Sequence, residues 1–267
     1  MKSFDRILIT GTTSGLGYGF LDHYARLNKK IICVNRRHDD SLTRDFPLAK
    51  FEKLDITHFE SVEKLLLRLK HQDELPDLFI LNAGINKMDN AHGLDFAAFQ
   101  EVMRTNLDGV MTFVAALSRL RVRGKTIAVV SSTANIVPNP RHIAYHLSKW
   151  AVERAFTILG RTDKTNCYKS VVLGPVHSRI MRHCPQPQGL QKRVFDALVI
   201  EPHGAIRACA RFFERGGRVL YYPLWVCLVY AAVRVLLTFN PRIYAGTPVS
   251  EESSGIRCEP SVAADRS

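Results

Sequence analysis

A phenol and an amine stand four residues apart in Ile143-Ala144-Tyr145-His146-Leu147-Ser148-Lys149. On a helix that spacing puts Tyr145 and Lys149 on one face, one turn apart. A free tyrosine, with a pKa of about 10, trades protons poorly near neutrality. A neighbouring ammonium favours the phenolate and brings the group toward working pH, which suits general acid–base catalysis. Ser132 ends a strand-like run ahead of them, where a hydroxyl could hold a carbonyl oxygen beside the phenol. Asn106 interrupts the helical stretch Phe99–Val114. Asparagine is a poor helix former, so it points to a kink, a water or a polar network there.

A second motif is built for an anion. Thr10-Gly11-Thr12-Thr13-Ser14-Gly15-Leu16-Gly17 follows an apolar run and opens a helical pattern. Glycines permit positive φ and close backbone approach, and N–H groups at a helix start face negative charge. Gly11, Thr13, Ser14, Gly15, Leu16 and Gly17 are therefore expected to cradle a pyrophosphate. Its spacing, T-G-x-x-x-G-x-G, differs from the common G-x-G-x-x-G. After the second apolar run comes Asn35-Arg36-Arg37, with acids only at Asp39 and Asp40. An acid at that place favours a free ribose hydroxyl, whereas a guanidinium matches a 2′-phosphate through a forked pair. NADP(H) is thus expected over NAD(H), with Arg37 as the main contact and Arg36 as support.

The elements that must carry these residues alternate. Apolar runs at Arg6–Thr10, Lys30–Asn35, Lys50–Leu54, Asp77–Leu81, Lys125–Ser131, Lys169–Leu173 and Arg218–Tyr222 read as strands. Between them, Leu16–Asn28, Phe59–Lys70, Phe96–Leu120, Ile143–Leu159 and Gly204–Arg215 read as helices. Continuous apolar strands between helices predict an α/β fold, a doubly wound Rossmann-type parallel sheet of seven strands covered on both faces. Its ligand edge lies at the carboxyl ends of the strands, where Leu81-Asn82-Ala83-Gly84 also falls.

Taken in order, T-G-x-x-x-G-x-G at 10–17, Asp55, Asn82-Ala83-Gly84, Asn106, Ser132 and Tyr145-x-x-x-Lys149 resemble the short-chain dehydrogenase/reductase family in its single-domain form. The likeness spans about residues 6–222. It implies a catalytic tetrad of Asn106, Ser132, Tyr145 and Lys149. Tyr145 would be the general acid/base and Ser132 would orient and polarise a carbonyl. Lys149 would lower the phenol pKa and bind the nicotinamide ribose, and Asn106 would hold a relay water. Asp55 would contact adenine, while Asn82, Ala83 and Gly84 flank the cofactor. Two departures stand out: Leu81 replaces the first asparagine of N-N-A-G, and Leu173-Gly174-Pro175-Val176-His177-Ser178 replaces P-G-x-V-x-T. Val176 and Ser178 would still line the nicotinamide, Ser178 keeping a hydroxyl for its carboxamide.

The expected activity is interconversion of a ketone or aldehyde with an alcohol on a hydrophobic, lipid-like substrate. The competing reading is a sensor or scaffold that binds NADPH without turnover. Residues 178–201 read as a substrate lid, 223–245 as an apolar helix and 246–267 as a disordered tail. Leu224–Phe239 is short for a bilayer span and contains Arg234. It fits a pocket cap, a helix lying in one leaflet, or a subunit contact. The formal net charge is +12. Arg119–Arg242 alone carries +15, with 20 basic against 5 acidic residues, while the stretches on either side are slightly acidic. This suits anionic partners such as the cofactor or a membrane surface. No nucleic-acid motif is present, and the six cysteines show neither C-x-x-C nor metal-ligand spacing. No secretory leader is legible, so a cytoplasmic protein, peripheral at a membrane surface and homo-oligomeric, is the expectation.

Overall fold

The inner strands form because they are mainly apolar runs, and a strand buried on both faces has no polar side to keep wet. The edge strand at Lys50–Lys53, by contrast, is Lys-Phe-Glu-Lys and only half-buried. In a computed structural model, residues 2–89, 93–135, 141–177, 196, 198–228 and 231–232 are described. Seven parallel strands make one sheet in the order β3-β2-β1-β4-β5-β6-β7. These are β1 (Arg6–Thr10), β2 (Lys30–Asn35), β3 (Lys50–Lys53), β4 (Leu78–Leu81), β5 (Thr126–Ser132), β6 (Cys167–Leu173) and β7 (Val219–Tyr222). The helices are α1 (Gly15–Arg26), α2 (Asp40–Asp45), α3 (Phe59–His71), α4 (Phe96–Met103), α5 (Gly109–Arg119), α6 (Ile143–Thr162) and α7 (Pro202–Glu214).

Side chains alternate across the sheet and divide the core in two. Ile7 and Ile9 pack with Phe20 and Leu21 of α1 and Phe213 of α7. Leu8 and Phe79 face the opposite layer, with Leu66 of α3, Phe113 of α5 and Phe156 of α6. The strand order reverses between β1 and β4, so the carboxyl ends of those two strands splay around a crevice.

The expected architecture is the one observed, with three local differences. The short helix α2 is additional; Asp39 caps it by accepting from the Ser41 N–H at 3.1 Å. Strand and helix ends move by one to three residues. The stretch read as one helix over Phe96–Leu120 is α4, a π-helical turn at Arg104–Asp108, and α5. Asn106 sits in that turn, so the kink its residue type suggested takes the form of a wide turn. The expected lid (178–201) and apolar helix (223–245) fall largely outside the described residues, and the tail (246–267) does so entirely. Residues 224–228 open a helix, with Leu224 75% and Leu228 65% exposed.

Candidate active site

The three glycines of the first turn answer three separate steric demands. Gly11 has φ +72°, and a Cβ there would lie 2.9 Å from the Ala83 Cα. Gly15 also has positive φ, +59°. A Cβ on Gly17 would lie 1.9 Å from the Gly11 carbonyl oxygen. The turn is pinned to β4 because the Thr10 hydroxyl accepts from the N–H groups of Asn82 and Ala83, each at 3.0 Å. Asn82 returns its amide to the carbonyls of Thr10 and Gly11, both at 3.2 Å. Buried Thr12 donates its N–H to the Asn35 side chain at 2.8 Å, and the Asn35 amide donates to the Thr12 hydroxyl at 2.8 Å. Ser14, the N-cap of α1, makes no side-chain capping bond. The helix thus presents its electropositive end from a rigid turn, a fit for a pyrophosphate.

Arg36 and Arg37 stand exposed just past β2. The nearby acids are engaged elsewhere, Asp39 in the α2 cap and Asp40 with His38 at 3.0 Å. Asp55 lies two residues past β3, accepting from the Thr57 N–H at 2.9 Å. Burial pushes its carboxyl up, but the Thr57 N–H and hydroxyl, His58 and Arg36 outweigh this and hold it below the usual carboxylate range.

Tyr145 and Lys149 sit one turn apart near the start of α6. Lys149 is 7% exposed, and its ammonium donates to the Val130 carbonyl at 2.8 Å, 5.7 Å from the centroid of the Tyr145 ring. Burial pushes its pKa down to about 8. The Ser131 hydroxyl donates to the Lys149 carbonyl at 3.1 Å, so β5 grips this residue by both backbone and side chain. Ser132 ends β5, its hydroxyl accepting from the Ala134 N–H at 3.2 Å. His146 holds its Nδ1 against the Ala134 carbonyl and packs edge-on to Tyr145. Burial lowers its pKa, the Ala134 carbonyl opposing and His142 adding to that shift.

Asn106 reaches this group from the π turn. Its Oδ1 accepts from the Ile85 N–H at 2.8 Å, and its Nδ2 donates to the Ile85 carbonyl at 2.9 Å and the Ser148 hydroxyl at 3.0 Å. A Cβ on Gly84 would lie 3.1 Å from the Asn106 Oδ1 and 3.6 Å from the Lys149 Nζ. Gly84, Asn106 and Lys149 therefore converge, and glycine is what leaves them room. Val176, buried just past β6, bridges to Ile200. Ser178 lies outside the described residues. Asn35, Ser131 and Ser148 were not among the residues the sequence singled out, and nothing in their local sequence marks them.

A doubly wound sheet with a phosphate turn after β1 and a phenol–ammonium pair at the edge of β5 defines a dinucleotide-binding protein of dehydrogenase type. The sequence profile of the short chain dehydrogenase family matches residues 5–179, and the chain belongs to that family. An uncharacterised oxidoreductase of Schizosaccharomyces pombe is 32% identical over 157 residues, 57% of this chain and 53% of that protein. An 11-beta-hydroxysteroid dehydrogenase of Sesamum indicum is 28% identical over 244 residues, 84% of this chain and 70% of that one. The match spans about half the length of the first of these relatives. A gluconate 5-dehydrogenase from Burkholderia cenocepacia, solved with NADP and tartrate, shares the fold with a TM-score of 0.70. It is 19% identical and covers 81% of this chain and 92% of its own. An enzyme named as NAD-dependent also occurs among the relatives.

Proposed function

We propose that this chain is an NADP(H)-dependent oxidoreductase that interconverts a ketone or aldehyde with an alcohol on a hydrophobic substrate. The observation that carries the reading is the buried Lys149 ammonium, one helical turn from Tyr145, at the strand edge that also bears Ser132. When bound, the reduced nicotinamide supplies the hydride. The Ser132 hydroxyl and the Tyr145 phenol orient the carbonyl oxygen, and Tyr145 delivers a proton to it as negative charge develops. Lys149 favours the phenolate that remains, and Asn106 holds the wide turn against Ile85. Donors fixed in advance at such an oxygen are worth several kcal/mol of barrier lowering. The NADP preference is supported by Arg36 and Arg37, exposed where a ribose 2′-phosphate would lie.

A hydrophobic substrate is supported by the relative that acts on a hydroxysteroid and by the apolar stretch 224–239. Exposed Leu224 and Leu228 favour peripheral contact of that stretch with a membrane. Self-association is supported by an apolar stripe on α6, where Ile143, Leu147, Trp150 and Ile158 are all exposed.

The decisive experiment follows NADPH oxidation against ketones of increasing chain length, with and without detergent. Turnover is expected to rise with chain length. Tyr145→Phe should cut kcat by about 10²–10⁴-fold, the range of general acid–base catalysis. Wild-type turnover in Tyr145→Phe would remove Tyr145 as the acid/base, whereas NADPH binding with no turnover of any ketone would leave the NADPH-binding sensor.

A further inference from the structure

Between Tyr145 and Lys149, α6 carries the hydroxyl of Ser148 toward α4 and the π turn. Ser148 is fully buried. Its oxygen accepts from the Asn106 Nδ2 at 3.0 Å and donates its proton to the Tyr145 carbonyl at 2.8 Å. The other proton of that Nδ2 goes to the Ile85 carbonyl, and the Oδ1 takes the Ile85 N–H. Both protons of the Asn106 amide and one lone pair of its oxygen are thus used in one orientation. A flipped amide would set its NH₂ against the Ile85 N–H and its oxygen against the Ile85 carbonyl.

We infer that Ser148 is a positioning residue for catalysis: it locks the Asn106 amide and the π turn at a fixed distance from Tyr145 and Lys149. The inference rests on the oxidoreductase reading above. Its physical basis is that the π turn and α6 are separate elements. Asn106 and Ser148 are 42 residues apart in the chain, and their hydrogen bond is a direct side-chain link between the turn and the catalytic helix. Asn106 is also tied to the loop after β4, whose Gly84 adjoins the Lys149 ammonium. Without the hydroxyl, a buried amide proton loses its acceptor, and such a donor shifts to find another. Any shift of Asn106 alters the surroundings of Lys149 and hence the proton chemistry of its neighbour.

The test compares Ser148→Ala, Ser148→Thr and Ser148→Cys with Tyr145→Phe. For Ser148→Ala, kcat is expected to fall by about tenfold or more, the effect of a catalytic group misplaced by a fraction of an ångström. Its KM for NADPH should stay within about twofold, and the pH at which kcat is half-maximal should move. Ser148→Thr keeps a hydroxyl that bonds the preceding helical turn, and should recover most of the rate. Ser148→Cys keeps the volume but supplies only a weak acceptor, and should behave as Ser148→Ala does. If Ser148→Ala does not fold, the Thr and Cys pair carries the comparison. Unchanged kcat in the Ala and Cys variants, or lower kcat with an unmoved pH profile and no recovery in Thr, would overturn the inference. That result with an inactive Tyr145→Phe would leave the oxidoreductase reading standing, whereas wild-type turnover in Tyr145→Phe would remove the role of the phenol on which the inference rests.

Discussion

Lys149 carries its charge into a site where burial opposes it. With a folded pKa of about 8 against an ordinary 10.5, the folded chain releases this proton while the unfolded chain still holds it. Between about pH 8 and 10.5 the unfolded state binds more protons, so this residue's contribution to stability rises with pH across that window. Below pH 8 both states are protonated and the penalty for burying the cation is constant. Chemical denaturation of wild type and Lys149→Met from pH 7 to 10 should show wild type gaining on the variant by up to about 3 kcal/mol. A gap that stays constant would refute the shifted pKa. A second residue-scale prediction concerns the nucleotide. Arg37→Ala should weaken NADPH by about tenfold or more and barely change NADH, since a guanidinium–phosphate pair is a charge-assisted contact; equal losses would remove the 2′-phosphate assignment. The pairing of Tyr145 with Lys149 was legible because four-residue spacing is a local property of a helix. The roles of Asn35 and Ser148 were not, because their partners lie 23 and 42 residues away in the chain.

The Gly-rich turn and α1 act together at the scale of elements. The Asn82 and Asn35 side chains hold the turn from two strands, and α1 can start so close to it only because residue 17 has no Cβ. Gly17→Ala would set a methyl against the Gly11 carbonyl, a backbone atom that cannot rotate away. Overpacking of this kind typically costs about 1–3 kcal/mol. The expected outcome is a loss of about 3 kcal/mol in denaturation and of at least about tenfold in NADPH affinity by fluorescence titration. Wild-type values for both would show the close approach to be incidental. The strand and helix sequence of the fold was readable because most strands are apolar runs and each helix has its own period; the edge strand β3, Lys-Phe-Glu-Lys, is the exception. The π turn was not readable as such. Asn106 announced an irregularity, but its form depends on Ile85 and Ser148, which meet it only after the sheet has assembled.

Charge is a property of the whole molecule, and here it is less exposed than the sequence suggests. Of the basic residues after Ser118, Lys149 is buried at the site, and Lys169 is buried against the carbonyls of Phe212, Arg215 and Gly217 at the end of α7. Lys125 pairs with Asp77 at 3.2 Å. These cations hold the fold together and are not available to a partner. The surface excess that remains includes Arg207 and Arg211 on α7. Exposed Leu224 and Leu228 follow β7 in the chain and lead into a further apolar stretch containing Arg234. Apolar groups that enter a headgroup region and cations that meet anionic lipid reinforce one another, and salt weakens only the second effect. Vesicle flotation should therefore find the protein on phosphatidylserine-containing vesicles at low salt and largely released at about 0.5 M, where the screening length falls to a few ångströms. Neutral vesicles should hold much less. Leu224→Asp with Leu228→Asp should release it at every salt concentration while leaving turnover on a short, water-soluble ketone intact. Failure to float with anionic vesicles at low salt would remove the membrane from the proposed function, leaving the apolar stretch to a pocket cap or a second subunit.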